Sequence, residues 1–179
     1  MPSLPSDHTL KPKPTRSHPW LVFYTKSRAE KKVRDLLERC GFEVFLPMQK
    51  VMRQWSDRKK KVEVPLFNSY IFVAVPEHQI TSILETPGVS WTIRHNGKPA
   101  ELHAREYDLI VRFIETGLLI ESLGIESIEK GEEVEIMDGP LKGQKGFVSG
   151  AGKDKFTVLL DALGQAIRVE VSGLLLRKI

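Results

Sequence analysis

The sequence predicts an α+β fold, an antiparallel sheet flanked by helices and followed by a small five-stranded β-barrel. Three observations carry that prediction. Up to Gly117, apolar periodicities run in the order strand, helix, strands, helix, strand, helix. Leu66 to Val75 is dense in aromatic and β-branched residues, too apolar for a half-exposed edge, so it reads as a central strand covered on both faces. From Gly131 onward the grammar changes to short strand-like runs between glycine-bearing turns, which fits a small barrel with few exposed edges.

Residues 1–18 are rich in proline, serine and basic groups without any period, and a disordered tail is expected there. Trp20 to Thr25 has the propensity of a strand, and Ser27 with Glu30 three residues later predicts a capping box that opens a helix. Ala29, Val33, Leu36, Leu37 and Cys40 fall on one stripe of that helix, and Gly41 ends it. Cys40 is therefore expected in the core. The opposite face carries Arg28, Lys31, Lys32, Arg34 and Arg39.

Phe42 to Leu46 alternates as a second strand. Val51, Arg53 and Trp55 before a charged turn, with Val62 and Val64 after it, predict a hairpin with one solvated face. Pro65 cannot donate to a ladder and marks the entrance of the central strand. Ile80, Ile83 and Leu84 stripe a short helix stopped at Pro87 and Gly88. Val89 to Ile93 is another strand, and His95, Asn96 and Gly97 form a turn. Leu109, Ile110, Phe113 and Ile114 stripe a last helix that Gly117 ends. Residues 19–117 make the first expected domain, 118–128 a linker, and 129–179 the barrel, with strands at Val134–Ile136, Phe147–Val148, Phe156–Leu160, Ile167–Val171 and Leu174–Leu176.

The formal charge of +4 and pI near 9.2 lean towards a polyanionic partner, although 28% charged residues of both signs is also an ordinary solvated surface. One cysteine precludes an intramolecular disulfide and fits a reducing compartment. No apolar run reaches the roughly 20 residues that span a bilayer, and no secretory signal precedes the first strand, so a cytoplasmic protein without membrane contact is expected. Catalysis finds no support. Gly139, Gly143 and Gly146 lack phosphate-loop spacing, the five histidines are scattered, and Glu132 and Glu133 point to opposite faces of a strand. No metal and no cofactor is expected.

The stretch WLVFYTKSRAEKKVRDLLERCGFEVFLP, the turn RQWSDRKK and the strand VPLFNSYIFV together resemble the N-terminal (NGN) domain of NusG-type transcription elongation factors. KGEEVEIMDGPLKGQKGFV resembles their C-terminal KOW motif, represented by Gly131, Val134, Gly139, Leu141, Gly143, Gly146 and Val148. The wording RQWSDRKK and VEVPLF is closer still to specialised NusG paralogues, relatives of RfaH, that act as antiterminators on surface-polysaccharide operons. The resemblance implies an SH3-like barrel for the KOW segment and an N-terminal domain that binds the clamp helices of RNA polymerase through an apolar patch and suppresses pausing. It places Tyr24, Phe67, Asn68 and Tyr70 at the polymerase contact. Where the family usually has Phe-Pro-Gly-Tyr or Phe-Pro-Asn-Tyr, this chain has Phe67-Asn68-Ser69-Tyr70, and the lost proline implies a less rigid turn.

Lys26, Arg28, Lys31, Lys32, Arg58, Lys59, Lys60 and Lys61 gain a role in that setting, as sequence-independent phosphate contacts beside non-template DNA. The resemblance further implies a monomer whose KOW domain engages a small-subunit ribosomal protein or the termination factor Rho. The competing reading is a KOW-containing RNA-binding or ribosome-associated protein, or a plain adaptor. RfaH is known for a KOW segment that folds as a helical hairpin over the polymerase site. Here Gly139, Pro140, Gly143, Gly146, Gly150 and Gly152 would fall inside helices, at about 1 kcal/mol for each glycine and about 3 for the proline. A permanent barrel on a flexible tether, leaving the aromatic patch free, is expected instead.

Overall fold

A computed structural model describes residues 18–125, 131–148, 155–160 and 163–179. The expected tail lies outside the described residues except for His18, which is exposed. The first sheet is antiparallel throughout and has the order β2 (Glu43–Phe45), β5 (Tyr70–Ala74), β1 (Trp20–Thr25), β6 (Val89–Thr92), with β9 (Glu101–Leu102) pairing the start of β1. The apolar run at Leu66–Val75 is thus central, as its composition requires, but its ladder begins only at Tyr70. Leu66 to Ser69 form a turn whose side chains, Asn68 apart, are buried.

The period-two alternation of β1 explains the layering. Leu21 and Phe23 face α1 (Glu30–Arg39) and α2 (Ile80–Leu84), in a cluster with Val33, Leu37, Ile71, Val73, Ile80 and Ile83. Trp20 and Val22 face α3 (Ala104–Glu115), clustering with Phe72, Tyr107, Ile110 and Phe113. Trp20 and Tyr107 stack at 6.1 Å and 6°.

Two local expectations at α1 fail for identifiable reasons. Ser27 does not cap the helix; Ala29 stands at the N-cap without a side-chain bond, because Glu30 turns inward to a tertiary partner. Cys40 is exposed rather than buried, since the helix ends at Arg39 and the following residue leaves the stripe. At α3 a cap not foreseen from sequence forms, with the His103 backbone N–H donating to Glu106 at 3.1 Å.

β3 (Met48–Gln54) and β4 (Lys59–Pro65) form a separate two-stranded hairpin, and β7 (Arg94–His95) with β8 (Lys98–Pro99) a smaller one turned by Asn96 and Gly97, both at positive φ. The second sheet has the order β10 (Ile120–Gly124), β14 (Gln165–Glu170), β13 (Lys155–Leu160), β12 (Lys145–Val148), β11 (Glu132–Ile136), β15 (Leu176–Lys178). It is mixed in origin. Its sixth strand, β10, comes from the segment 118–128 expected as a linker, where Ile120 to Gly124 pair with Val169 to Gln165. Within its described part, residues 118–125, the period is blurred because Ile120 is buried while the apolar Leu118 and Leu119 stay exposed.

Candidate functional site

Register, not sequence proximity, assembles the aromatic site. Tyr24 lies directly opposite Tyr70 on β5 and directly opposite Trp91 on β6, so three rings form a row across three strands. Tyr24 and Trp91 stack at 4.5 Å and 8°, and Tyr24 meets Tyr70 edge-on at 5.5 Å and 78°. Such pairs hold one another beyond their area burial. Trp91 is 52% exposed, and the two tyrosines are half-buried. Sequence reasoning misses Trp91, because its place in the row depends on the β1–β6 pairing.

Phe67 does not join them. It is 1% exposed and packs edge-on against Phe72 at 6.3 Å, so the expected contact residue is a core residue. Asn68 is exposed at the crown of the turn. The turn closes with the Tyr70 N–H donating to the Phe67 carbonyl at 3.4 Å, and Ser69 takes φ of 64°, the left-handed value that a type II turn demands at its third position. Serine is strained in that conformation where the family's glycine or asparagine would not be.

The compensation comes from α1. Glu30, 5% exposed, accepts the Ser69 N–H at 2.7 Å, and the Ser69 carbonyl accepts the Thr25 N–H at 2.8 Å. Both peptide groups of the strained residue are satisfied from outside the turn. A charge-assisted bond of this kind contributes about 1.5–3 kcal/mol. In this turn without the family's proline, a buried glutamate holds the backbone beside Asn68 by accepting the Ser69 N–H.

The barrel is not free of this site. Gln165 on β14 donates to the Tyr70 hydroxyl at 3.5 Å, the outer limit of a hydrogen bond, and Gln49 exchanges two bonds, 2.8 and 3.1 Å, with the backbone of Ile120 at the root of β10. The expectation of a detached barrel is therefore corrected: one end of the aromatic row touches it, and Trp91 at the other end stays open to solvent.

Among the basic residues, Lys26, Arg28, Lys32, Arg58, Lys59, Lys60 and Lys61 are exposed. Lys31 is exposed too but donates to the Glu63 carbonyl at 2.8 Å, tying α1 to the root of the hairpin. This bond brings the helix face and the hairpin into one basic surface. In the KOW segment, Val134, Leu141 and Val148 are buried, while Gly139 and Gly143 adopt positive φ. Gly146 is required by contact: a Cβ there would collide with the Thr157 carbonyl and with the Phe156 ring at 2.8 Å. Gly131 is exposed ahead of β11, and Gly150 and Gly152 lie outside the described residues.

A family model described as "NusG: Transcription termination factor nusG" matches residues 18–111. The chain is 29% identical over 168 residues to the transcription termination/antitermination protein NusG of Staphylococcus carnosus, covering 85% of this chain and 91% of that one. It is 26% identical over 166 residues to the protein of the same name from Lactococcus lactis subsp. lactis, covering 85% and 88%. A solved structure described as "Domain interaction in Thermotoga maritima NusG" superposes with a TM-score of 0.53 at 21% identity, covering 91% of this chain and 98% of that one, which shows a shared fold.

Proposed function

The chain belongs to the NusG family of transcription termination and antitermination factors, and from that premise we propose that it docks on the clamp helices of RNA polymerase through the row Tyr70–Tyr24–Trp91 and suppresses pausing or termination. The observation that carries this reading is the brace beneath the row. A protein-binding surface gains affinity when its aromatic anchors lose little freedom on docking, and here the rings are stacked on one another and the turn behind them is held by Glu30. A helical ridge laid along the row would desolvate Trp91 and the half-exposed tyrosines together. Asn68, at the crown of the turn, supplies a polar contact at the rim.

The basic surface of Lys26, Arg28, Lys32 and the hairpin lies beside the non-template DNA strand in this reading, where lysine and arginine add sequence-independent attraction. The NGN-like unit, residues 19–117, then serves as the polymerase-binding part and the KOW unit, 129–179 with β10 added, as the part that recruits a partner protein such as a small-subunit ribosomal protein or Rho. The wording of RQWSDRKK and VEVPLF supports the narrower role of a specialised antiterminator. Co-purification of the full-length protein with core polymerase at moderate salt tests the reading. Retention of polymerase is the expected result, and enrichment of ribosomal particles without polymerase would overturn it.

A further inference from the structure

We propose that the tip of the β3–β4 hairpin is a stacking site for an unpaired base of single-stranded DNA, with Trp55 beneath the base and Arg53, Arg58 and Lys60 around it on the flanking phosphates. The register places these four together. Val51 pairs Val62 and Arg53 pairs Lys60, and the Trp55 N–H donates to the Arg58 carbonyl at 2.8 Å to close the two-residue turn. Alternation then puts Trp55, Arg58, Arg53 and Lys60 on one face, neighbours across or diagonally along the ladder.

That face is docked at its root, where Gln49 bonds Ile120 and Val51, Val62 and Val64 are partly covered, and free at its tip, where Trp55 is 58% exposed. Among the described residues none of Arg53, Arg58, Lys59, Lys60 and Lys61 has an ion pair; the acids nearby are Asp57 in the turn and Glu63, which pairs with Lys50 at 3.8 Å. An indole that shares its face with Arg53, Arg58 and Lys60 lacks the apolar surround of a protein hot spot, since Met52, the other exposed apolar side chain of the hairpin, points to the opposite face. A flat π-surface flanked on its own face by cations matches a base with its phosphates. The strand is DNA because this tip extends the basic surface placed beside the non-template strand above, and the inference rests on that reading for the choice of sugar.

The test uses the full-length protein and a fluorophore-labelled, mixed-sequence single-stranded DNA at low salt, with three comparators: the same strand with abasic positions, its duplex, and the RNA of the same sequence. Trp55→Ala is expected to weaken binding to the intact strand by about tenfold, while Trp55→Phe retains most of it. Binding to duplex and abasic DNA should be unchanged by Trp55→Ala. The salt slope should be unchanged too, whereas a combined Arg53, Arg58 and Lys60 to alanine variant lowers the slope by about 0.7 for each phosphate left without its cation. Unaltered single-strand affinity in Trp55→Ala, or an equal loss with the abasic strand, overturns the stacking site. A larger Trp55 dependence for RNA overturns the assignment to DNA. Polymerase co-purification of Trp55→Ala should match wild type, so failure of this proposal is distinct from failure of the docking row.

Discussion

Trp91 and Trp55 are exposed to similar extents, 52% and 58%, in opposite mechanical settings. Trp91 lies stacked on Tyr24, on a sheet backed by two helices and a buried carboxylate. Trp55 crowns a two-stranded hairpin whose hydrogen bonds to the rest of the protein, among the described residues, lie at its root. Exposure alone therefore does not define a binding residue. What differs is the support behind each ring: a row stacked on itself and braced by Glu30 suits a fixed ridge of protein, and an unbraced basic tip suits a strand that arrives in many shapes.

Removing the row is the most severe test of this contrast. Truncated interface aromatics typically cost about 2 kcal/mol or more each. The variant Tyr24→Ala, Tyr70→Ala should therefore lose polymerase in a pull-down while circular dichroism reports an intact sheet. Because Trp91 stacks on Tyr24, the double variant also frees the tryptophan, and Trp91→Ala alone should weaken binding by a smaller step. Wild-type retention in the double variant would remove the row from the interface.

Next in size is the brace. Glu30→Ala leaves the buried Ser69 N–H without an acceptor and should cost about 2–3 kcal/mol in chemical denaturation. Glu30→Gln, which keeps an acceptor, should recover part of that loss. Ser69→Gly relaxes the left-handed residue and should soften the penalty of Glu30→Ala. At the hairpin, Trp55→Ala is expected within about 0.5 kcal/mol of wild type, as for an exposed side chain without partners. Equal destabilisation at the two places would erase the distinction between braced and free.

These two regions also differ in how far the sequence foretold them. Strand and helix order, the central run and four of the five expected barrel strands were legible because period and glycine placement are local signals, as were the cations of the hairpin. The last strand was misplaced, since Gly173–Leu175 forms a 3-10 turn and the strand is Leu176–Lys178. The row was only half legible: Tyr24 and Tyr70 came from a motif, but Trp91 enters through a strand pairing. Glu30 misled for a physical reason. Serine followed three residues later by glutamate is a local capping pattern, and a buried backbone N–H on another element outcompetes it. Phe67 failed in the same way, since a phenylalanine reads alike whether it faces solvent or Phe72.

A smaller effect, confined to binding, is expected from charge reversal of Arg58, Lys59, Lys60 and Lys61. Crosslinking to the non-template strand should fall and melting temperature should hardly move, because these side chains are exposed and lack ion pairs among the described residues. Undiminished crosslinking would return the hairpin to a solvated edge whose charges only discourage strand pairing.

The least of these effects separates the regions by pH. Tyr107, on the face of the sheet that carries the row, has its hydroxyl pKa raised above the usual tyrosine value by burial first, then by Glu43 and Asp108. The folded protein therefore keeps this proton at a pH where the unfolded chain, near pH 10, gives it up. Between those two values the folded state binds more protons than the unfolded state, so stability falls as pH rises through about 10. The Tyr107→Phe variant has no such group and should lose less stability between neutral and strongly alkaline pH. Thermal melts of the two proteins across that range provide the measurement. Converging curves at high pH support the assignment, whereas curves that stay parallel show that Tyr107 ionises alike in the folded and unfolded chains and that the sheet beneath the row draws no stability from its buried neutral form.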